Sequence, residues 1–343
     1  MMPRFLAFAQ SGVPDPSDTE RARVGIERLH DTAADQDDLA AFVDALCADD
    51  AGRRFLDSIF GNSPFLGQCL LLELPFARDL MREGPDKMFP RLLADIEPQD
   101  SNITAIMASL RRAKRKAALL IALADISKVW TLDQVTGALS DFAEKSLQIG
   151  LSGLLHEADS EGVITLPDNS DPQRDCGYVV LGMGKLGARE LNYSSDIDLI
   201  VLYDPEKIDC PDPDRLRRDL VRMTRALMRI LDERTADGYV FRTDLRLRPD
   251  PGATQLPISV QAAEDYYESM GQNWERAAMI KARPVAGDLA LGAEFLHNLR
   301  PYVWRRNLDF AAIEDIHSIK RQITAHRGGG VVAVNGHNVK LGR

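Results

Sequence analysis

Two short stretches hold the residue types that phosphate chemistry needs. Gly182-Met183-Gly184-Lys185-Leu186-Gly187 follows an apolar run, and Asp196-Ile197-Asp198 opens the next one twelve residues after Gly184. Strand side chains alternate, so Asp196 and Asp198 share one face while Ile197 and Leu199 take the other. Carboxylates about 7 Å apart on one face repel. A hard divalent cation neutralises them, and Mg2+ keeps coordination positions open for substrate phosphates. Thr243-Asp244-Leu245-Arg246-Leu247-Arg248 alternates in the same way. As a strand it presents Asp244, Arg246 and Arg248 on one face and turns Leu245 and Leu247 toward a core. Paired beside the Asp196 strand, Asp244 completes a set of three carboxylates, with guanidinium forks suited to phosphate at its flank. Such a set describes metal-assisted phosphoryl or nucleotidyl transfer. Lys281 and Arg283, beyond Trp274-Glu275-Arg276, read either as further phosphate contacts or as a solvated helix face.

The glycine pattern also matches the dinucleotide-binding G-x-G-x-x-G, with Asp204 17 residues past the last glycine. The link from Ala188 to Ser195 is too short for a βαβ crossover, which needs a dozen residues or more. Asp196 and Asp198 would also fall in a buried parallel strand, at several kcal/mol each. A Walker A loop fails because Leu186, not Ser or Thr, follows Lys185.

The elements that must position these groups follow from periodicity. Up to about residue 158 the pattern is helical: Ser17-Asp18-Thr19-Glu20 opens one helix, Ile103, Ile106, Met107 and Leu110 form an apolar face, and Thr131 with Gln134 fits a capping box. From Asp159 to Gly177 turn-forming residues dominate, which suggests a boundary. Strands are expected at Tyr178–Leu181, Leu199–Tyr203 and Tyr239–Leu247, with a helix near 214–234 between the last two. After about residue 262 the helical period returns through Tyr266, Trp274 and Ile280, and again from Leu308 to Ile323. A strand-like run begins at Gly328. The expected organisation is α+β: a helical domain over 1–160, a catalytic core with a small mixed sheet over 161–290, and a helical segment with a strand-like tail over 291–343.

Composition narrows the function classes. With 42 basic and 52 acidic side chains in 343 residues the net charge is −10, which disfavours a long nucleic-acid groove. Four scattered cysteines without a C-x-x-C pair read as reduced thiols, the start has no signal-peptide core, and no apolar run approaches a membrane span. A soluble, cytoplasmic protein is expected. Arg111, Arg112, Lys114, Arg115 and Lys116 read either as a docking patch or as a solvated helix face.

The run Gly182 to Leu199 closely resembles the signature of the bacterial glutamine synthetase adenylyltransferases, the bifunctional adenylylating and adenylyl-removing enzymes. Asp244–Pro249, Trp274–Arg283 and His337–Arg343 resemble further blocks of that family, and the similarity runs from about Ser63 to the end. The resemblance implies a DNA polymerase β-like nucleotidyltransferase core. It implies Asp196, Asp198 and Asp244 as catalytic metal ligands for Mg2+ or Mn2+, and Gly184 and Lys185 as the phosphate turn. Ser195, Arg246, Arg248, Lys281 and Arg283 complete the implied nucleotide and phosphate contacts. Family members are far longer and carry two cores; this chain resembles the amino-terminal, adenylyl-removing one. The implied partners are glutamine synthetase, nucleotide and inorganic phosphate, with a PII-type signalling protein for the full-length enzyme, and neither nucleic acid nor membrane. Ala188 and the Asp250–Thr254 turn depart from the family pattern. Alternatives left open are transfer in the adenylylating direction from ATP, transfer to another substrate, and an inactive regulatory binding module.

Overall fold

A computed structural model describes residues 13–96, 102–252, 254, 256–304, 314, 317, 318 and 321. The His337–Arg343 block, the run from Gly328 and most of Leu308–Ile323 lie outside these residues. Helices and a small sheet make up the described chain, which divides into two compact units: one within Met1–Pro98 and Ala108–Phe142, the other within Gln99–Met107 and Ala143–Arg343. The expected α+β class is what the structure has.

The first unit is helical. It contains α1 (Thr19–Ala33), α2 (Asp37–Ala48), α3 (Asp50–Asn62), α4 (Pro64–Leu72), α5 (Leu74–Glu83), α6 (Pro85–Ala94), most of α7 (Ile103–Ile126) and the start of α8 (Leu132–Ser160). Local chemistry sets the breaks. The Asp18 side chain accepts from the Arg21 N–H at the head of α1, and Ser63 caps α4 with Pro64 in its first turn. Thr131 and Gln134 exchange the hydrogen bonds of a capping box before α8. The basic run on α7 is not a solvated face. Arg111 is 1% exposed, Arg115 pairs with Glu73 at 3.1 Å, and the Lys114 ammonium lies 5.5 Å from the centre of the Phe142 ring. Burial pulls the Lys114 pKa down to about 8. Only Arg112 of the five is exposed.

The second unit is built on a five-stranded mixed sheet: β1 (Tyr178–Gly182), β2 (Ile197–Tyr203), β3 (Thr243–Asp244), β4 (Ile258–Ser259) and β5 (Arg283–Gly287). The order is β3-β2-β1-β5, with β4 also pairing with β2. β1 runs antiparallel to β2, from Tyr178 opposite Tyr203 to Gly182 opposite Leu199. The segment between them is therefore a hairpin link containing the short α9 (Gly184–Gly187), which removes the dinucleotide-binding topology. β3 and β4 both run parallel to β2, at its two ends. Val179, Leu181, Ile200 and Leu202 alternate onto one face, in a core with residues of α11 (Val260–Ser269), α12 (Asn273–Met279), α13 (Leu289–Asn298) and α14 (Arg300–Val303). The Tyr178 hydroxyl meets Thr224 Oγ1 of α10 (Pro213–Asp232) at 2.8 Å. The second half of α8 is stitched to β5, with Gln148 Nε2 donating to the Val285 carbonyl at 3.0 Å.

Two expectations are corrected here. The strand expected over Tyr239–Leu247 is reduced to Thr243–Asp244. The Arg246 backbone N–H bonds back to Asp244 Oδ1 at 2.9 Å, a side-chain turn that ends the ladder. Arg246 and Arg248 consequently do not continue a strand face beyond Asp244. The helical period expected through Ile280 also breaks into strand β5, which holds Arg283, so neither Lys281 nor Arg283 lies on a helix face.

Candidate active site

The central strand β2 presents the acids. Asp198 is its second residue and Asp196 stands just before it. In the parallel pairing with β3, Asp198 is the direct partner of Asp244, and Ile197 of Thr243. Residues in register on neighbouring strands point to the same face, so Asp198 and Asp244 are brought together as the alternation predicts. Asp244 reaches this place because the chain leaving α10 is tightly held. Val240 and Phe241 N–H groups both donate to the Leu231 carbonyl, at 2.9 and 3.0 Å, and Ile197 N–H donates to the Arg242 carbonyl at 2.9 Å.

The glycine turn closes over the same end of β2. Met183 N–H donates to the Asp198 carbonyl at 2.8 Å. Gly184 follows with φ +53°, a left-handed conformation that glycine adopts without strain. A β-carbon at Gly187 would lie 1.8 Å from the Lys281 carbonyl oxygen, so the last glycine is there to let the segment before β5 pass. Arg283 fastens the turn from below. It donates to the Gly187 and Leu186 carbonyls, at 3.1 and 3.2 Å, and forks onto the Glu144 carboxylate of α8, with one bond at 2.9 Å. Glu144 also lies 3.5 Å from Arg189.

The predicted basic residues therefore separate by role. Lys185 is exposed at the turn, and Ser195, half-buried, directly precedes Asp196. Arg246 stays with the acids: its Nε donates to both Asp244 oxygens at 3.0 Å and its Nη2 to Oδ2 at 2.5 Å. These hydrogen bonds hold the Asp244 carboxyl below the usual carboxylate range despite partial burial, and they raise Arg246; Asp198 and Asp196 add to the latter effect. Arg248 is spent on its own loop, donating to the Leu245 and Pro251 carbonyls at 2.9 and 2.8 Å. Lys281 pairs with Glu190 at 2.6 Å, and Arg283 serves the turn.

Arg242 and Glu144 were not anticipated. Arg242 donates to Asp196 Oδ1, to the Ser194 carbonyl and, at 3.1 Å, to the Tyr239 hydroxyl. Its place one residue before the acid strand was the available signal; Glu144, on a distant helix, had none. In the Trp274-Glu275-Arg276 run, Glu275 and Arg276 are buried, and Glu275 caps its own helix while accepting from Tyr266. Burial raises the Glu275 pKa.

Among the described residues no three His, Cys, Asp or Glu side chains are gathered as a metal-binding group in this conformation, in which guanidiniums hold Asp196 and Asp244. Turn, acids and guanidiniums together bring oxygen ligands and cationic donors to one end of β2.

Comparison with known proteins identifies the family. The family model described as glutamate-ammonia ligase adenylyltransferase matches residues 58–298. The bifunctional glutamine synthetase adenylyltransferase/adenylyl-removing enzyme of Brucella suis biovar 1 (strain 1330) is 49% identical over 332 residues, which is 96% of this chain and 34% of that protein. The similarly named enzyme of Rhizobium meliloti (strain 1021) is 48% identical over 336 residues, 96% of this chain and 34% of that protein. That of Agrobacterium fabrum (strain C58 / ATCC 33970) is 52% identical over 269 residues, 78% of this chain and 27% of that protein. The chain thus spans about a third of the length of the curated relatives it matches. No helix among the described residues is long and apolar enough to cross a membrane.

Proposed function

The chain belongs to the glutamate-ammonia ligase adenylyltransferase family, and from that premise we propose that its core removes AMP from an adenylylated tyrosine of glutamine synthetase by phosphorolysis, releasing ADP. The observation that supports the reading best is the in-register pairing of Asp198 with Asp244 beside Asp196 and the Gly184 turn. Asp196, Asp198 and Asp244 would hold Mg2+ or Mn2+, which neutralises charge on the phosphoryl oxygens when bound.

The residues of the chain supply position and charge. The turn at Gly184 and Lys185 receives the phosphate groups, and Arg246, once released from Asp244, offers them a cationic fork. An oxygen of inorganic phosphate attacks the α-phosphorus in line, and the bond to the tyrosine oxygen breaks. The new phosphoanhydride leaves as ADP, and the phenolate takes a proton to become tyrosine. The nucleophile is already anionic, so positioning and charge neutralisation account for most of the rate. In the adenylylating sense the tyrosine hydroxyl, with a pKa near ~10, must lose its proton, and Asp244 is the acceptor. Arg246 keeps that carboxylate ionised.

The test is to incubate the chain with adenylylated glutamine synthetase, inorganic phosphate and Mn2+ and to follow ADP. Wild type releases ADP and Asp196→Asn does not, while both fold. Unchanged turnover in Asp196→Asn rejects the assignment. Attachment of AMP from ATP without ADP release assigns the adenylylating direction to this core.

A further inference from the structure

The two guanidiniums among the acids are held in different ways. Arg242 is anchored on three sides, by Asp196, the Ser194 carbonyl and the Tyr239 hydroxyl. Arg246 gives every one of its hydrogen bonds among the described residues to a single carboxylate, that of Asp244. Its side chain is 85% exposed, whereas that of Asp244 is 17% exposed. Releasing Arg246 therefore breaks one ion pair of a largely exposed side chain and needs only side-chain rotation. The backbone bond from Arg246 N–H to Asp244 Oδ1 can persist and keep the turn in place.

We infer that Arg246 is a built-in counter-ion of Asp244 that an incoming divalent cation displaces, and that the displaced guanidinium then receives the phosphate group of the substrate. The inference rests on the nucleotidyl-transfer reading and adds an order of events to it. Both Asp244 oxygens accept from the guanidinium, so carboxylate and cation cannot engage fully until the fork lets go. While Nε and Nη2 serve Asp244, only Nη1 is left for an anion, so the bidentate fork is available to a phosphate group only after release. One side chain thus links the two binding events: the cation frees the guanidinium, and the anion keeps it from returning. By linkage each ligand promotes the other.

The experiment measures free Mn2+ by electron paramagnetic resonance in titrations of the whole chain, with and without inorganic phosphate. Arg246→Gln is expected to bind Mn2+ alone roughly five-fold more tightly than wild type, the factor set by losing one exposed competing ion pair. Phosphate should then strengthen Mn2+ binding less in Arg246→Gln than in wild type. Mn2+ binding by Arg246→Gln no tighter than wild type, or an undiminished phosphate effect, overturns the exchange. Asp198→Asn serves as the control for the site and should lose Mn2+ in the same titration. If Asp198→Asn binds Mn2+ like wild type, the metal reading falls and this inference falls with it. If it loses Mn2+ while Arg246→Gln behaves as wild type, only the exchange is wrong.

Discussion

Gly184 and Asp198 approach so closely that a β-carbon on the glycine would lie 3.2 Å from Asp198 Oδ2. The phosphate-type turn and the central acid therefore share one wall, and neither can be altered without the other registering it.

Gly184→Ala is accordingly expected to cost about 1–2 kcal/mol of stability, since its φ of +53° strains any residue with a β-carbon. Gly187→Ala should cost more than about 3 kcal/mol, because its β-carbon meets backbone rather than a side chain that can yield. Urea unfolding of the two variants checks the order; equal costs would refute this account of the turn.

Asp198→Asn separates function from stability. It removes a like charge facing Asp244 and Asp196 and should leave the fold as stable as wild type, or more so by up to about 1 kcal/mol. ADP release should fall at least ~100-fold. A thermal melt together with the release assay reads both, and a variant that loses stability and keeps activity would contradict the site.

Arg283→Gln distinguishes a turn anchor from a phosphate ligand. Losing its bonds to Glu144, Leu186 and Gly187 should lower stability by about 1.5–3 kcal/mol. A variant of unchanged stability whose KM for phosphate rises would restore the phosphate-ligand role.

In the helical unit, Lys114 makes stability depend on pH. Its folded pKa of about 8 lies below the value of a free lysine, so folding favours the neutral form. The penalty is present in full below pH 8 and is relieved as pH rises from 8 toward 10. Lys114→Met should remove that rise. Denaturant midpoints of wild type and variant at pH 7 and pH 9.5 should converge at the higher pH; parallel curves would exclude Lys114 as the cause.

The faces were legible because side chains alternate along a strand: Asp196 and Asp198 could be assigned to one side of theirs and Asp244 to one side of its own, while the pairing that sets Asp244 opposite Asp198 came only from the structure. The topology was legible in part, since the short link from Ala188 to Ser195 excluded a crossover and β1 and β2 are antiparallel. The fate of Arg248 was hidden because a side-chain turn at Asp244 ends β3 two residues after it starts, and alternation carries no trace of such a stop. Strand β5 was hidden because five residues beginning Arg283-Pro284 show no period of their own. Likewise Arg111 and Lys114 read as surface residues, since helical periodicity does not reveal which faces other elements cover. Glu144 pairs with Arg283 across a separation of 139 residues, which only the folded chain brings together.

The unequal lengths of the strand pairings also set an order of assembly. The hairpin of β1 and β2 joins five residue pairs across a short link and belongs to the local structure that forms within microseconds. The two-pair ladder that delivers Asp244 must wait for α10 and for a longer loop to close. The glycine turn with Asp196 and Asp198 is thus expected to form before Asp244 arrives, so that the proposed acid set is completed late in folding.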